Sequence, residues 1–198
     1  MWSEIKRKVF HLTGFIYVAG LIYLPRPRYL AILGGLLIVE GLVEYARLRS
    51  PRFHVWMVAH FGGLFRAKEA TQFTGTFWMM AGALVTGWLL SPVSIAVTAM
   101  LYILIGDTVA SLVGKRIGRV KWPNSPKSVV GSAACLISCL SIGATLLRPD
   151  YGWAGIVIGA VVATAVEFKF PVVDDNFSMP VVSALALMFC YKLTPVFW

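Results

Sequence analysis

Charged side chains make up only 14% of this 198-residue chain, and those that could do chemistry fall into five short clusters. The first is Glu4-Ile-Lys-Arg7-Lys8-Val-Phe-His11. Positions 4, 8 and 11 share a helical face, and His11 lies one turn inside an apolar run, where a polar side chain needs a partner or a task. The second is Arg66-Ala-Lys-Glu69 followed by Thr74-Gly75-Thr76, which offers charge, a hydroxyl and close backbone approach. The third is Gly106-Asp107 with Ala110, Ser111, Gly114, Lys115, Arg116, Gly118 and Arg119. Asp107 is a carboxylate in an apolar helix, which is costly without a compensating cation, and the basic, glycine-rich stretch after it suits phosphates. It is not a Walker A loop, because GxxxxGK[ST] is absent. The fourth, Asn124-Ser125-Pro126-Lys127-Ser128-Val-Val130-Gly131-Ser132, puts a lysine and hydroxyls at a helix start, a natural anion site. The fifth is Glu167, then Asp174-Asp175-Asn176. These are hard oxygen ligands of the kind magnesium accepts beside substrate phosphates.

The elements that must position these groups are apolar. The chain is 58% hydrophobic with a mean hydropathy of +0.76, well outside the composition of soluble domains. This excludes a soluble globular enzyme, a disordered chain and a nucleic-acid-binding domain, and leaves one transmembrane domain over residues 1–198. Seven segments are each long enough to cross a bilayer as a helix. They are Val9–Leu24, Tyr29–Leu48, Phe73–Leu90, Val93–Val113, Val129–Leu147, Trp153–Phe168 and Met179–Phe197. Backbone groups in lipid must be satisfied internally, and no period-2 pattern argues for a barrel, so the expected fold is an all-α polytopic bundle. Between Arg52 and Phe65, apolar residues recur at helical spacing and predict a short interfacial helix, a lip toward which a lipid would be guided. The first segment, which no small-x-small cleavage site ends, reads as a retained helix. Cys135, Cys139 and Cys190 form no CxxC pair, so neither disulfides nor zinc is expected.

With seven spans, fourteen of the 18 basic residues fall on the side of the N-terminus and four on the other. Basic residues collect in the cytoplasm, so that side is predicted to be cytoplasmic. Seven of the 9 acids share it, Glu40 lies one turn deeper, and Asp150 alone lies opposite. Acids clustered among bases on one face suggest a site that holds an anion and a divalent cation together.

The motifs RKxxH at Arg7–His11, GDxxAxxxG at Gly106–Gly114, KSxxGS at Lys127–Ser132 and DDNxxxP at Asp174–Pro180 resemble, in this order, the CTP-dependent lipid kinases. That family includes phytol kinase, dolichol kinase and the CTP-dependent diacylglycerol kinase, with a prokaryotic diacylglycerol/polyprenol branch. The resemblance covers nearly the whole chain, and the short length suggests a prokaryotic cell-membrane version. One departure is Val130, where many members carry Glu. The resemblance implies transfer of the γ-phosphate of CTP to the hydroxyl of a membrane lipid alcohol, with Mg2+ or Mn2+ as cofactor. It implies functional roles for Arg7, Lys8, His11, Asp107, Ala110, Gly114, Lys127, Ser128, Gly131, Ser132, Asp174, Asp175 and Asn176. In the mechanism this suggests, Asp107, Asp174, Asp175 and Asn176 hold the metal. Lys127, Lys115 and Arg7 or Lys8 neutralise the triphosphate, with Gly114, Ser128, Gly131 and Ser132 around it, while Glu69, Thr76 and Glu167 support the site. Either Asp107 or His11 takes the alcohol proton; the sequence does not choose. The partners expected are CTP, the lipid alcohol and the bilayer, with no nucleic acid; a homo-oligomer is compatible with the sequence but not readable from it. Two alternatives stay open: a phosphatidate cytidylyltransferase, whose PGHGG signature is missing here, and a small proton- or metal-coupled transporter, which would carry its acids near the midplane.

Overall fold

The computed structural model describes residues 2–62, 65–89, 92–169 and 173–193. Ten α-helices lie among the described residues: α1 (Trp2–Leu12), α2 (Phe15–Tyr23), α3 (Arg26–Arg49), α4 (Pro51–Phe61), α5 (Gly75–Leu89), α6 (Val93–Leu101), α7 (Thr108–Ile117), α8 (Val129–Leu146), α9 (Arg148–Phe168) and α10 (Asp175–Leu193). Among the described residues there is no strand; one isolated bridge pairs Lys121 with Ser128. Among the described residues, three helical stretches are long and apolar enough to cross a membrane: Arg26–Arg49, Val93–Ile117 and Val129–Leu146. Gly152–Phe168 is a shorter apolar helix. Leu90, positions 170–172 and positions 194–197 of the seventh expected segment lie outside the described residues.

Local sequence sets the helix ends. Ser50 caps α4 by accepting a hydrogen bond from the Phe53 N–H at 3.4 Å, with Pro51 in its first turn. Ser128 caps α8 by accepting from the Gly131 N–H at 3.1 Å. Arg47 and Arg49 close α3, where cations suit the negative helix end.

Three details differ from the sequence reading. The first apolar segment is two helices, α1 and α2, because the chain turns at Thr13-Gly14. A Cβ on Gly14 would come within 2.6 Å of Leu104 and 2.7 Å of Met79, so a larger residue here would push both side chains aside. The fourth segment contains a π-helical stretch, Tyr102–Asp107, joining α6 to α7. The amphipathic helix expected near 52–65 ends at Phe61.

The stretch from α6 to α7 forms the centre: Ile95, Met100, Tyr102, Ile103 and Leu104 are fully buried. α9 packs between α8 and α10, α10 packs also on α5 and α6, and α3 lies outside against α5. Ile32, Leu36 and Val39 on α3 and Phe189 on α10 remain exposed, as residues facing lipid should be.

Candidate active site

The clusters that are distant in sequence meet at one end of the bundle. Asp107, the last residue of the π stretch, is fully buried and bonds the ammonium of Lys8 from α1. Lys127, just before α8, lies 3.7 Å from Asp107, 2.6 Å from Glu167 at the end of α9, and 3.5 Å from Asp175 at the start of α10. One ammonium thus ties together carboxylates from three elements. Burial pulls the Lys127 pKa down, but Asp107, Asp175 and Glu167 together more than reverse this and hold it above the usual lysine range.

A second layer of pairs braces the first. Arg66 lies 3.3 Å from Asp175 and 3.9 Å from Asp174, and Lys68 bonds Asp174 at 2.7 Å. Asn176 donates its amide Nδ2–H to Asp174 at 2.8 Å. Buried Glu69 accepts from the Gly75 N–H at 2.9 Å and the Arg66 N–H at 2.7 Å. Arg47 forms a two-pronged pair with Glu44 at 3.1 and 2.8 Å and donates to the carbonyls of Glu69 and Gln72. Because neither Glu44 nor Arg47 is solvent-exposed, this is a bidentate lock that fixes the linker after α4 onto α3.

Two cavities adjoin this network, and Arg7 and Arg66 line both. The first, of about 330 Å³, has an apolar wall of Phe10, Met57, Phe61, Phe65 and Met79. Its polar part includes His11, Glu40, Glu69, Thr76 and Asn176. The second, of about 200 Å³, is polar and lined by Asp107, Lys115, Lys127, Ser128, Ser132 and Asp175, with Gly114 and Gly131 at its wall. The two glycines also let α7 and α8 touch. A Cβ on Gly131 would meet the Ala110 carbonyl at 2.8 Å and Gly114 Cα at 3.2 Å.

Of the residues named from sequence, Lys8 and Asp174 line neither cavity; both are spent on ion pairs. The consecutive Asp175 and Asn176 divide, Asp175 facing the polar cavity and Asn176 the apolar one. The sequence reading put Arg66 in its second cluster without giving it a role at the site, and it left Glu40 out. The role of Arg66 comes from its tertiary contacts with Asp174 and Asp175.

Among the described residues, no three His, Cys, Asp or Glu side chains gather as a ready metal cage. Glu167 Oε2 and Asn176 Oδ1, however, are buried without a hydrogen-bond partner among them. A cation held by one or two carboxylates and completed by phosphate oxygens fits this donor set; a cage made of protein alone does not.

Fold and site together define a helical membrane protein in which a centre of paired acidic and basic side chains abuts a cavity with an apolar wall. No family model matches the chain, and no solved structure matches it. An uncharacterized protein of Rickettsia prowazekii is 28% identical over 96% of this chain and 93% of its own length. A protein described as probable phytol kinase, chloroplastic, of Triticum aestivum is 35% identical over 54% of this chain and 40% of its own. A CTP-dependent diacylglycerol kinase 1 of Eremothecium gossypii is 29% identical over 92% of this chain and 65% of its own. The chain thus spans two fifths to two thirds of these kinase relatives. These homologues support the CTP-dependent lipid kinase family, the one its motifs resemble.

Proposed function

We propose that the chain is a lipid kinase that transfers the γ-phosphate of CTP to the hydroxyl of a membrane lipid alcohol, releasing CDP and a lipid monophosphate. The observation that carries this reading is the pair of cavities sharing Arg7 and Arg66, one apolar and one polar. An alcohol in the first and a triphosphate in the second would meet at the two shared guanidiniums, where charge develops on the transferring group. Lys127, Lys115, Ser128 and Ser132 receive the nucleotide's phosphates. Lys8 pairs with Asp107, and the Glu44–Arg47 lock holds the linker that carries Arg66. Asp107, Asp175 and Glu167, which share the polar cavity, would hold Mg2+ or Mn2+, which when bound supplies neutralisation of the triphosphate. The lipid enters past α4, whose Met57 and Phe61 line the apolar cavity. The functional unit is a seven-span bundle with its N-terminus and site on the cytoplasmic side, as the basic asymmetry implies.

The test is an assay of the purified protein with CTP, ATP, GTP and UTP against diacylglycerol, a polyprenol and phytol. CTP-dependent formation of one lipid monophosphate supports the reading. Product from no nucleotide and no alcohol refutes it.

A further inference from the structure

The sequence leaves two candidates for the group that takes the alcohol proton, and the geometry separates them. Asp107 is fully buried, bonds Lys8, and has Lys127 at 3.7 Å. Each of its oxygens already faces an ammonium, Oδ2 that of Lys8 and Oδ1 that of Lys127. It lines the polar cavity and not the apolar one. His11 is placed differently. Its ring lines the apolar cavity, and Nε2 lies 3.2 Å from the carbonyl oxygen of Ile103, in the π-helical stretch. A carbonyl only accepts, so Nε2 carries the proton and Nδ1 carries the lone pair. Nδ1 has no hydrogen-bond partner among the described residues, and it is not sealed away as a buried orphan.

Resting on the lipid-kinase reading, we infer that His11 Nδ1 is the general base that takes the proton of the acceptor lipid's hydroxyl, the Ile103 carbonyl fixing the tautomer. In the step, the alcohol oxygen bonds to the γ-phosphorus of CTP and its O–H bond breaks, the proton passing to Nδ1. The bond from the γ-phosphorus to the bridging oxygen breaks, and CDP leaves with that electron pair. The imidazolium then returns its proton to water. The π-helical stretch is the positioning element, since the same six residues supply both the Ile103 carbonyl and Asp107. π-bulges inside helices often mark functional sites.

Two measurements test this. His11→Gln keeps an N–H for the Ile103 carbonyl but has no basic nitrogen. It should bind CTP like the wild type while kcat falls by about 10²–10⁴-fold, the usual range for removing a general base. Separately, ¹⁵N NMR of histidine-labelled wild-type protein, with the resonance missing in H11Q assigned to His11, should show Nε2 protonated and Nδ1 bare, a readout that needs no activity. An H11Q protein with wild-type kcat, loss of CTP binding in H11Q, or an Nδ1–H tautomer each overturns the assignment. A wild-type protein that phosphorylates no lipid alcohol refutes the kinase reading itself, a result distinct from an active wild type with an equally active H11Q.

Discussion

Asp107→Asn removes one negative charge at nearly constant shape, and its effect on stability follows from what is left behind. Lys127 keeps Glu167 at 2.6 Å and Asp175 at 3.5 Å. Lys8 does not fare as well. Its side chain is 5% exposed, and its contacts are the Asp107 carboxylate and, at 3.4 Å, the Asp107 carbonyl. The variant therefore strands one buried ammonium, and breaking a buried pair from one side costs about 3–5 kcal/mol. For a chain of this size that corresponds to a fall in Tm of roughly 6–20 °C. Lys8→Met alone should be milder, because Lys127 still compensates Asp107 at 3.7 Å. The double variant Lys8→Met/Asp107→Asn should recover most of the stability, since no ammonium is left unpaired. It should not recover lipid phosphorylation, which in both Asp107 variants should drop by at least about two orders of magnitude, the scale of losing one key electrostatic contact. Thermal unfolding of the detergent-solubilised proteins, read beside phosphorylation, checks both parts. An Asp107→Asn protein as stable as wild type, or a double variant less stable than it, would refute the stranded-lysine argument.

Further outcomes follow from the same geometry. Lys127→Ala should raise KM for CTP by roughly one to two orders of magnitude, as for a lost charged contact of about 1.5–3 kcal/mol; steady-state kinetics at varied CTP will show it. Phosphorylation should require Mg2+ or Mn2+ and stop with chelator, returning when the metal is restored. Gly131→Ala should destabilise the protein by about 1–3 kcal/mol through overpacking at the α7–α8 contact, measured by thermal unfolding. Cysteine-accessibility labelling should find the N-terminus in the cytoplasm and the C-terminus outside; both ends on one side would mean an even number of spans.

Helix content was legible in the sequence because most of the chain is long apolar runs, several of them bounded by proline or a basic residue. Pro25, Pro92 and Ser128 mark the starts of α3, α6 and α8 as the structure has them. The turn at Thr13-Gly14 was not legible, because a glycine inside an apolar run reads as ordinary helix until Leu104 and Met79 are seen against it. Nor was the π-helical stretch, since the single glycine in it, Gly106, reads as ordinary close helix packing in a membrane span. At the site, Asp107, Lys127, Glu167 and Asp175 stood out as charged residues in or beside apolar segments. Their pairing was not readable, because a lysine at position 8 and an aspartate at 107 share no local pattern. The Glu44–Arg47 lock was hidden for a related reason: a basic residue at a helix end looks like a topology signal, and only its contacts show that it holds the linker in place.

The most direct test of lipid phosphorylation from CTP is the fate of two labels. The purified protein, in lipid containing the accepted alcohol, is given CTP labelled at the γ-phosphate in one reaction and at the α-phosphate in another. The kinase account predicts that the γ-label enters the lipid while the α-label stays in CDP. Entry of the α-label into the lipid, with the γ-label leaving in pyrophosphate, would identify a cytidylyltransferase and contradict the account.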